Sequence, residues 1–155
     1  MTSETASRDL VLTRLIDAPR EKVWRCWTEP ELVMQWFAPK PWSTAAAALD
    51  VRPGGVTAIT MRSPEGEEFP SSGVYLEVVP NEKLVFTDAF SDAWTPSDKP
   101  FFTCVLTFEE EDGKTRYTAR ARHWREEDRE AHEKMGFHEG WGQCADQLEE
   151  LAKTL

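Results

Sequence analysis

Hydrophobic positions change period twice along the chain, and the two changes divide it into three stretches. In the first, Leu10, Val11, Leu12, Leu15 and Ile16 form an aliphatic run that ends at Asp17-Ala18-Pro19. This predicts a strand stopped by a helix-entry signal, with Asp17 as a cap and Pro19 in the first helical turn. Val23, Trp24 and Trp27 then fall at helical spacing over 21–28, and Leu32, Val33, Trp36 and Phe37 repeat the pattern beyond Pro30. Two short helices are expected, divided by that proline. Pro39 and Pro41 end the helical stretch, since each lacks an N–H and restrains the residue before it.

From there to residue 124 apolar and polar residues alternate, with turn chemistry at intervals. Six strands are expected, at about 44–51, 56–62, 72–79, 84–90, 102–109 and 115–124. Arg52-Pro53-Gly54-Gly55, Ser63-Pro64-Glu65-Gly66, Pro80-Asn81-Glu82-Lys83 and Glu111-Asp112-Gly113-Lys114 supply the tight connections. The connection over 91–100 is longer and carries Trp94, which makes it a candidate lid. Within the last strand Tyr117, Ala119, Ala121 and His123 share one face, as do Phe102, Cys104, Leu106 and Phe108 in the strand before it. These faces are expected to be the concave ones.

The third stretch returns to helical period. Residues 125–134 are nearly all charged, and then Phe137, Trp141, Cys144, Ala145, Leu148, Leu151, Ala152 and Leu155 fall in one stripe. Gly136, Gly140 and Gly142 lie within or beside this helix, where each costs up to about 1 kcal/mol relative to Ala. Close packing, space beside Trp141, or a bend or break would each account for them. Strands followed by a helix of this kind define an α+β fold, with helices on one face of an antiparallel sheet.

Composition narrows the partners. A formal net charge of -10 over 155 residues argues against nucleic acid or an anionic membrane, because phosphate neutralisation needs excess Lys and Arg. No apolar run reaches membrane-spanning length, and the Ser/Thr/Glu-rich start has no signal-peptide pattern, so no membrane insertion and a cytoplasmic location are expected. Cys26, Cys104 and Cys144 are odd in number and widely spaced, which fits reduced thiols. With no break in composition, the chain reads as a flexible tail over 1–9 and a single domain over 10–155. A chain of this size buries about 70% of its unfolded surface and needs no metal or disulfide staple.

Several short motifs occur together and in order: Asp17-Ala18-Pro19-Arg20-Glu21-Lys22-Val23-Trp24, Gln35-Trp36-Phe37, Asp50-Val51-Arg52-Pro53-Gly54-Gly55, Gly73-Val74-Tyr75-Leu76-Glu77-Val78-Val79-Pro80, Leu84-Val85-Phe86-Thr87, and Gly140-Trp141 with Leu148 and Leu151. In this the chain resembles the SRPBCC or START-like superfamily, and within it the family similar to the C-terminal domain of the activator of the heat-shock-protein-ninety ATPase. The resemblance runs from about Leu10 to Leu155. It implies a helix-grip fold, a curved antiparallel sheet around a long C-terminal helix with a mainly apolar cavity between them. In that superfamily such cavities hold apolar small molecules, and some members, the polyketide cyclases among them, catalyse reactions there. It carries over fold and not co-chaperone activity.

The chain has 7 Trp and 8 Phe against 2 Tyr, and the positions of these rings suggest a cavity wall. Trp36, Trp42, Met61, Tyr75, Phe90, Trp94, Phe102, Phe137 and Trp141 are the candidate ligand contacts, while Trp24 and Trp27 read as packing residues. Asp88 and His123 are the polar groups that alternation turns inward; if they met, the carboxylate would orient a basic imidazole. Tyr75 is a third catalytic candidate. His132 and His138 are six apart and form no metal-ligand pattern, so no metal or other cofactor is expected. The expected function is binding of a small apolar or aromatic molecule between the sheet and the C-terminal helix. The alternatives are a cyclase, dehydratase or hydrolase acting in the same cavity, or a chaperone ATPase cofactor. The sheet edge and exposed aromatics offer routes to a homodimer.

Overall fold

The computed structural model describes residues 8–98 and 100–155, with Asp92 through its backbone alone. The order of elements is β1 (Asp9–Ile16), α1 (Arg20–Thr28), α2 (Pro30–Trp36), β2 (Ser43–Leu49), β3 (Val56–Arg62), β4 (Glu68–Val79), β5 (Lys83–Thr87), β6 (Phe90–Asp92), β7 (Thr95–Pro96), β8 (Phe102–Glu111), β9 (Lys114–His123), α3 (Glu126–Lys134) and α4 (Phe137–Ala152). Seven strands form one sheet in the order β1-β9-β8-β5-β4-β3-β2, and β6 pairs with β7 as a separate small hairpin. Every pairing is antiparallel.

The seven strands of the sheet correspond to the strand expected from the aliphatic run and the six expected from alternation, with displaced ends. β4 begins at Glu68, four residues before the expected start, because it stays paired with β3 out to Arg62, where the two side chains form an ion pair at 2.7 Å. β5 stops at Thr87, short of the expected 90. There side chains replace the ladder: Thr87 Oγ1 accepts from the Ala89 N–H at 3.1 Å, and Asp88 Oδ1 accepts from the Phe101 N–H at 2.8 Å. The released chain forms the β6–β7 hairpin over the expected lid. Of the expected tail over 1–9, residues 1–7 lie outside the described residues, and Asp9 already belongs to β1. Its carboxylate is buried and meets Arg120 at 3.0 Å.

Helix ends follow the prolines. Pro19 is the N-cap of α1 and not a member of its first turn, and the Asp17 side chain does not cap it; the Asp17 N–H instead donates to Glu149 at 2.7 Å. Pro30 opens α2 with Glu29 as N-cap. The expected long C-terminal helix is two helices, broken at Gly136, whose φ of 97° lies in the left-handed region that favours glycine. At Gly142 a Cβ would stand 2.7 Å from Nη2 of Arg14, the tip of a flexible side chain that can move aside, so packing does not require glycine there. Gly140 faces open space, and nothing in the structure explains it.

The predicted concave faces point inward. Tyr117, Ala119, Ala121, Cys104, Leu106 and Phe108 are all buried, under α1 and α4. The small side chains of Ala119 and Ala121 let the helices approach this half of the sheet closely. α4 inserts Phe137, Cys144, Ala145, Leu148 and Ala152 there. The other half, β2 to β5, extends beyond the reach of α4, and that asymmetry positions the site.

Candidate ligand-binding site

Beyond the edge of α4 a cavity of about 130 Å³ lies between the sheet and a roof of Trp27 and Phe37. Leu49, Thr57, Ile59, Tyr75, Phe86 and Phe102 form its floor and walls, and Asp88 is its one charged lining residue among the described residues. Ser71 and Ser72 are exposed and mark the side open to solvent. Strand register explains the floor: Thr57 pairs with Gly73, Ile59 with Ser71, and Tyr75 with Phe86, so one face of three adjacent strands converges there.

Trp27 is held on several sides. Its ring centroid lies 4.8 Å from Trp36, 5.9 Å from Phe37, 5.7 Å from Phe86 and 6.4 Å from Trp141, and its indole N–H donates to the Tyr117 hydroxyl at 3.3 Å. Phe37 is fixed from α4: its carbonyl accepts from the Cys144 thiol at 2.9 Å, while the Gln147 side-chain amide donates to Trp36 and Ala38 on either side. Thus α4 braces the roof without lining the cavity. This corrects the expected location between sheet and C-terminal helix: the stripe of α4 is consumed by β1, β9 and α1, and the rings of α1 and of the segment after α2 cover what is left.

Of the expected contacts, Tyr75 and Phe102 line the cavity. Trp36 is buried beside Trp27 and donates from its indole N–H to the Cys26 carbonyl at 2.8 Å. Trp42 packs on Phe69 at 5.5 Å, and Met61 pairs with Phe69 in register, both at the far end of the β3–β4 ladder. Phe90 and Trp94 meet each other at 5.5 Å on the β6–β7 hairpin, where the indole rests over the turn at Gly54. Trp94 is 60% exposed. Phe137 and Trp141 pack together at 5.5 Å, and Trp141 touches the roof from behind through Trp27. Phe37 stands in the proline-flanked ring cluster with Trp36 and Trp42 that the sequence puts at a cavity mouth, whereas sequence reasoning missed Trp27, Leu49, Ile59 and Phe86. Phe86 was accessible, since it alternates with Asp88 on the inward face.

The third catalytic candidate, Tyr75, is held by backbone bonds to the β2–β3 turn, its carbonyl accepting from Gly54 at 2.8 Å and its N–H donating to Gly55 at 2.9 Å. Burial pushes its hydroxyl up to about 12, the nearby Thr57 pulling the other way, so it stays protonated at neutral pH. Asp88 and His123 do not meet. Asp88 leaves the end of β5 and His123 the end of β9, with Phe102 of β8 between them, its ring 6.2 Å from the imidazole. Two strand spacings, about 10 Å, separate such positions.

His123 instead pairs with a residue that was set aside as a metal ligand. Its Nδ1–H donates to the Arg8 carbonyl at 2.8 Å, which leaves Nε2 to accept from His132 Nδ1–H at 2.9 Å. Phe101, Phe102 and Phe137 surround the pair, and Arg8, Asp9 and Arg122 share the groove beside His123. Among the described residues no group of three or more His, Cys, Asp or Glu is placed to hold a metal ion. Burial, with an electrostatic contribution from the neighbouring His123 adding to it, pulls His132 down from its usual 6.5 to about 4. The unfolded chain therefore takes up this proton first. The stability it contributes is full above pH 6.5 and is lost as pH falls toward 4, by about 1–2 kcal/mol after solvent screening is allowed for. Denaturant titrations at pH 7 and pH 4.5 are expected to show a larger loss in the wild type than in His132→Leu; equal losses would contradict this.

Burial pushes the Cys26 and Cys144 thiols up to about 12, and Cys104 further still, so all three free cysteines are poor nucleophiles. No helix among the described residues is long and apolar enough to cross a membrane.

A seven-stranded antiparallel sheet closed on one face by a C-terminal helix, with two short helices between the first two strands, is the helix-grip class of α+β protein. The chain belongs to the AHSA1 family, whose model, described as activator of Hsp90 ATPase homolog 1-like protein, matches residues 17–153. It is similar to a crystal structure of a protein from Nitrosomonas europaea, at 45% identity and a TM-score of 0.93, covering 96% of each chain. A protein from Mycobacterium smegmatis is 27% identical with a TM-score of 0.77, over 95% of this chain and 91% of that one. An AHSA1-like protein from Aeromonas hydrophila, 20% identical with a TM-score of 0.73 over 94% and 92% of the two chains, shares the fold. No curated protein matches the chain.

Proposed function

We propose that this protein binds a small, largely apolar molecule in the cavity under Trp27 and Phe37. The observation that carries the reading is a void walled by five aromatic rings in a chain whose core is otherwise closely packed. Leaving such a surface unfilled forfeits dispersion contacts, and an occupant restores them. Size sets the scale of that occupant. Ligand pockets commonly measure about 300–1,000 Å³, whereas an apolar cavity of about 150 Å³ takes a benzene-sized guest. At about 130 Å³ the cavity suits a single ring with small substituents.

Catalysis has less support. Asp88 and Tyr75 border the same cavity, yet no imidazole reaches it, and Tyr75 is too weak an acid to serve as a base. The chaperone-cofactor alternative rests on family membership alone.

Because Trp27 forms part of the roof, monocyclic ligands are expected to quench tryptophan fluorescence saturably. Ser71→Phe places a ring at the open side, on an exposed residue whose substitution leaves the core intact. It is expected to weaken binding at least about tenfold with an unchanged melting temperature. Equal affinity in the two proteins would place the binding elsewhere.

A further inference from the structure

Among the described residues the lining carries one charged side chain and no Lys, Arg or His. That side chain, Asp88, is unevenly engaged. Its Oδ1 accepts from the Phe101 N–H at 2.8 Å and the Phe102 N–H at 3.2 Å, whereas Oδ2 has no hydrogen-bond or ion-pair partner among the described residues. Trp27, Phe37, Tyr75, Phe86 and Phe102 line the same cavity.

Building on the binding reading above, we propose that the cavity selects a small organic cation, a single-ring amine or ammonium with its positive group toward Asp88 and its apolar part on the rings. Two interactions favour the positive group. A carboxylate oxygen free of other partners gives a charge-assisted hydrogen bond, and aromatic faces attract cations through their quadrupole, more strongly where water is excluded. The net charge of -10 adds a field that draws cations toward the protein. A ligand of opposite sign loses on each count. An anion would be desolvated beside a like charge, with no lining cation among the described residues to compensate. The backbone bonds to Oδ1 fix the carboxylate before ligand arrives, so little ordering is needed on binding.

Three probes of one shape and three charges test this: benzylammonium, benzyl alcohol and benzoate, titrated calorimetrically at pH 7 against the full chain. Benzylammonium is expected to bind at least about tenfold more tightly than benzyl alcohol, with benzoate weakest. Asp88→Asn keeps an oxygen for the two backbone donors and removes the charge. It is expected to bring benzylammonium within about threefold of benzyl alcohol. Equal binding of all three probes, or tightest binding of benzoate, overturns the cation preference and leaves the binding reading standing. Failure of all three to bind overturns both. The wild-type order alone decides the matter if the variant does not fold.

Discussion

Trp27→Ala is expected to cost about 3–5 kcal/mol of unfolding free energy and to abolish ligand binding together. The ring is buried and touches four others, so its loss opens a void contiguous with the existing cavity. It also strips the buried Tyr117 hydroxyl of its indole donor, and an orphaned buried polar group carries its own penalty of about 1–3 kcal/mol. Burial already drives the Tyr117 hydroxyl strongly upward, so ionisation offers it no escape. Trp27→Phe separates the two effects, since it keeps much of the packing and loses the hydrogen bond. Urea titrations are expected to place it between the wild type and Trp27→Ala. A loss below about 1 kcal/mol in Trp27→Ala would contradict the role of this ring as keystone of the roof.

The second large effect falls on the cavity floor. At Gly73 a Cβ would stand 2.1 Å from the Thr87 carbonyl oxygen and 2.9 Å from its carbon. Those are backbone atoms of the neighbouring strand, which cannot swing aside as a side-chain tip would. Gly73→Ala is therefore expected to part β4 from β5 and cost about 3 kcal/mol, at the upper end for overpacking. Amide exchange should accelerate at Val74, Tyr75, Phe86 and Thr87, the residues paired beside the clash. Gly140→Ala is the matched comparison, with open space where its Cβ would go; it is expected to be neutral or to stabilise by up to about 1 kcal/mol. Similar costs at both glycines would refute the steric account.

What was legible in the sequence was whatever repeats locally. An aliphatic run located the first strand, and alternation the other six with their inward residues, down to Tyr117, Ala119 and Ala121, because a one-residue slip would turn each strand inside out. The apolar stripe of the last helix was legible for the same reason, as were the prolines that divide α1 from α2. The break at Gly136 was one of three readings of that glycine-rich stretch, and only the backbone conformation there decides among them. Strand ends were misplaced where side chains take over from the ladder, as Thr87 and Asp88 do; periodicity contains no record of such substitutions.

The site was harder, because it is defined by what α4 fails to cover. Trp27 and Phe37 have the spacing of ordinary packing residues, and they are packing residues on one side; their other side faces the void. Trp141 and Phe137 showed the converse, since aromatic rings on a gripping helix suggest a wall, whereas Trp141 packs on Trp27 of α1 and Phe137 on Trp141 and His132. His123 was correctly turned inward, but its partner is His132, nine residues on across the turn from β9 into α3. An imidazole pair of this kind has no spacing signature. Asp88 was found by alternation, and its proximity to five rings follows only from the register of β5 against β8.

The central claim is that the void beneath Trp27 and Phe37 is a ligand site, and isotope-filtered nuclear Overhauser spectroscopy of the labelled protein saturated with an unlabelled single-ring ligand tests it most directly. Contacts from the ligand protons to Trp27, Tyr75, Phe86 and Phe102, and none to Trp42 or Trp94, are the predicted result. Contacts confined to the Trp42–Phe69 pair or to the β6–β7 hairpin, or no saturable contacts at all, would contradict it.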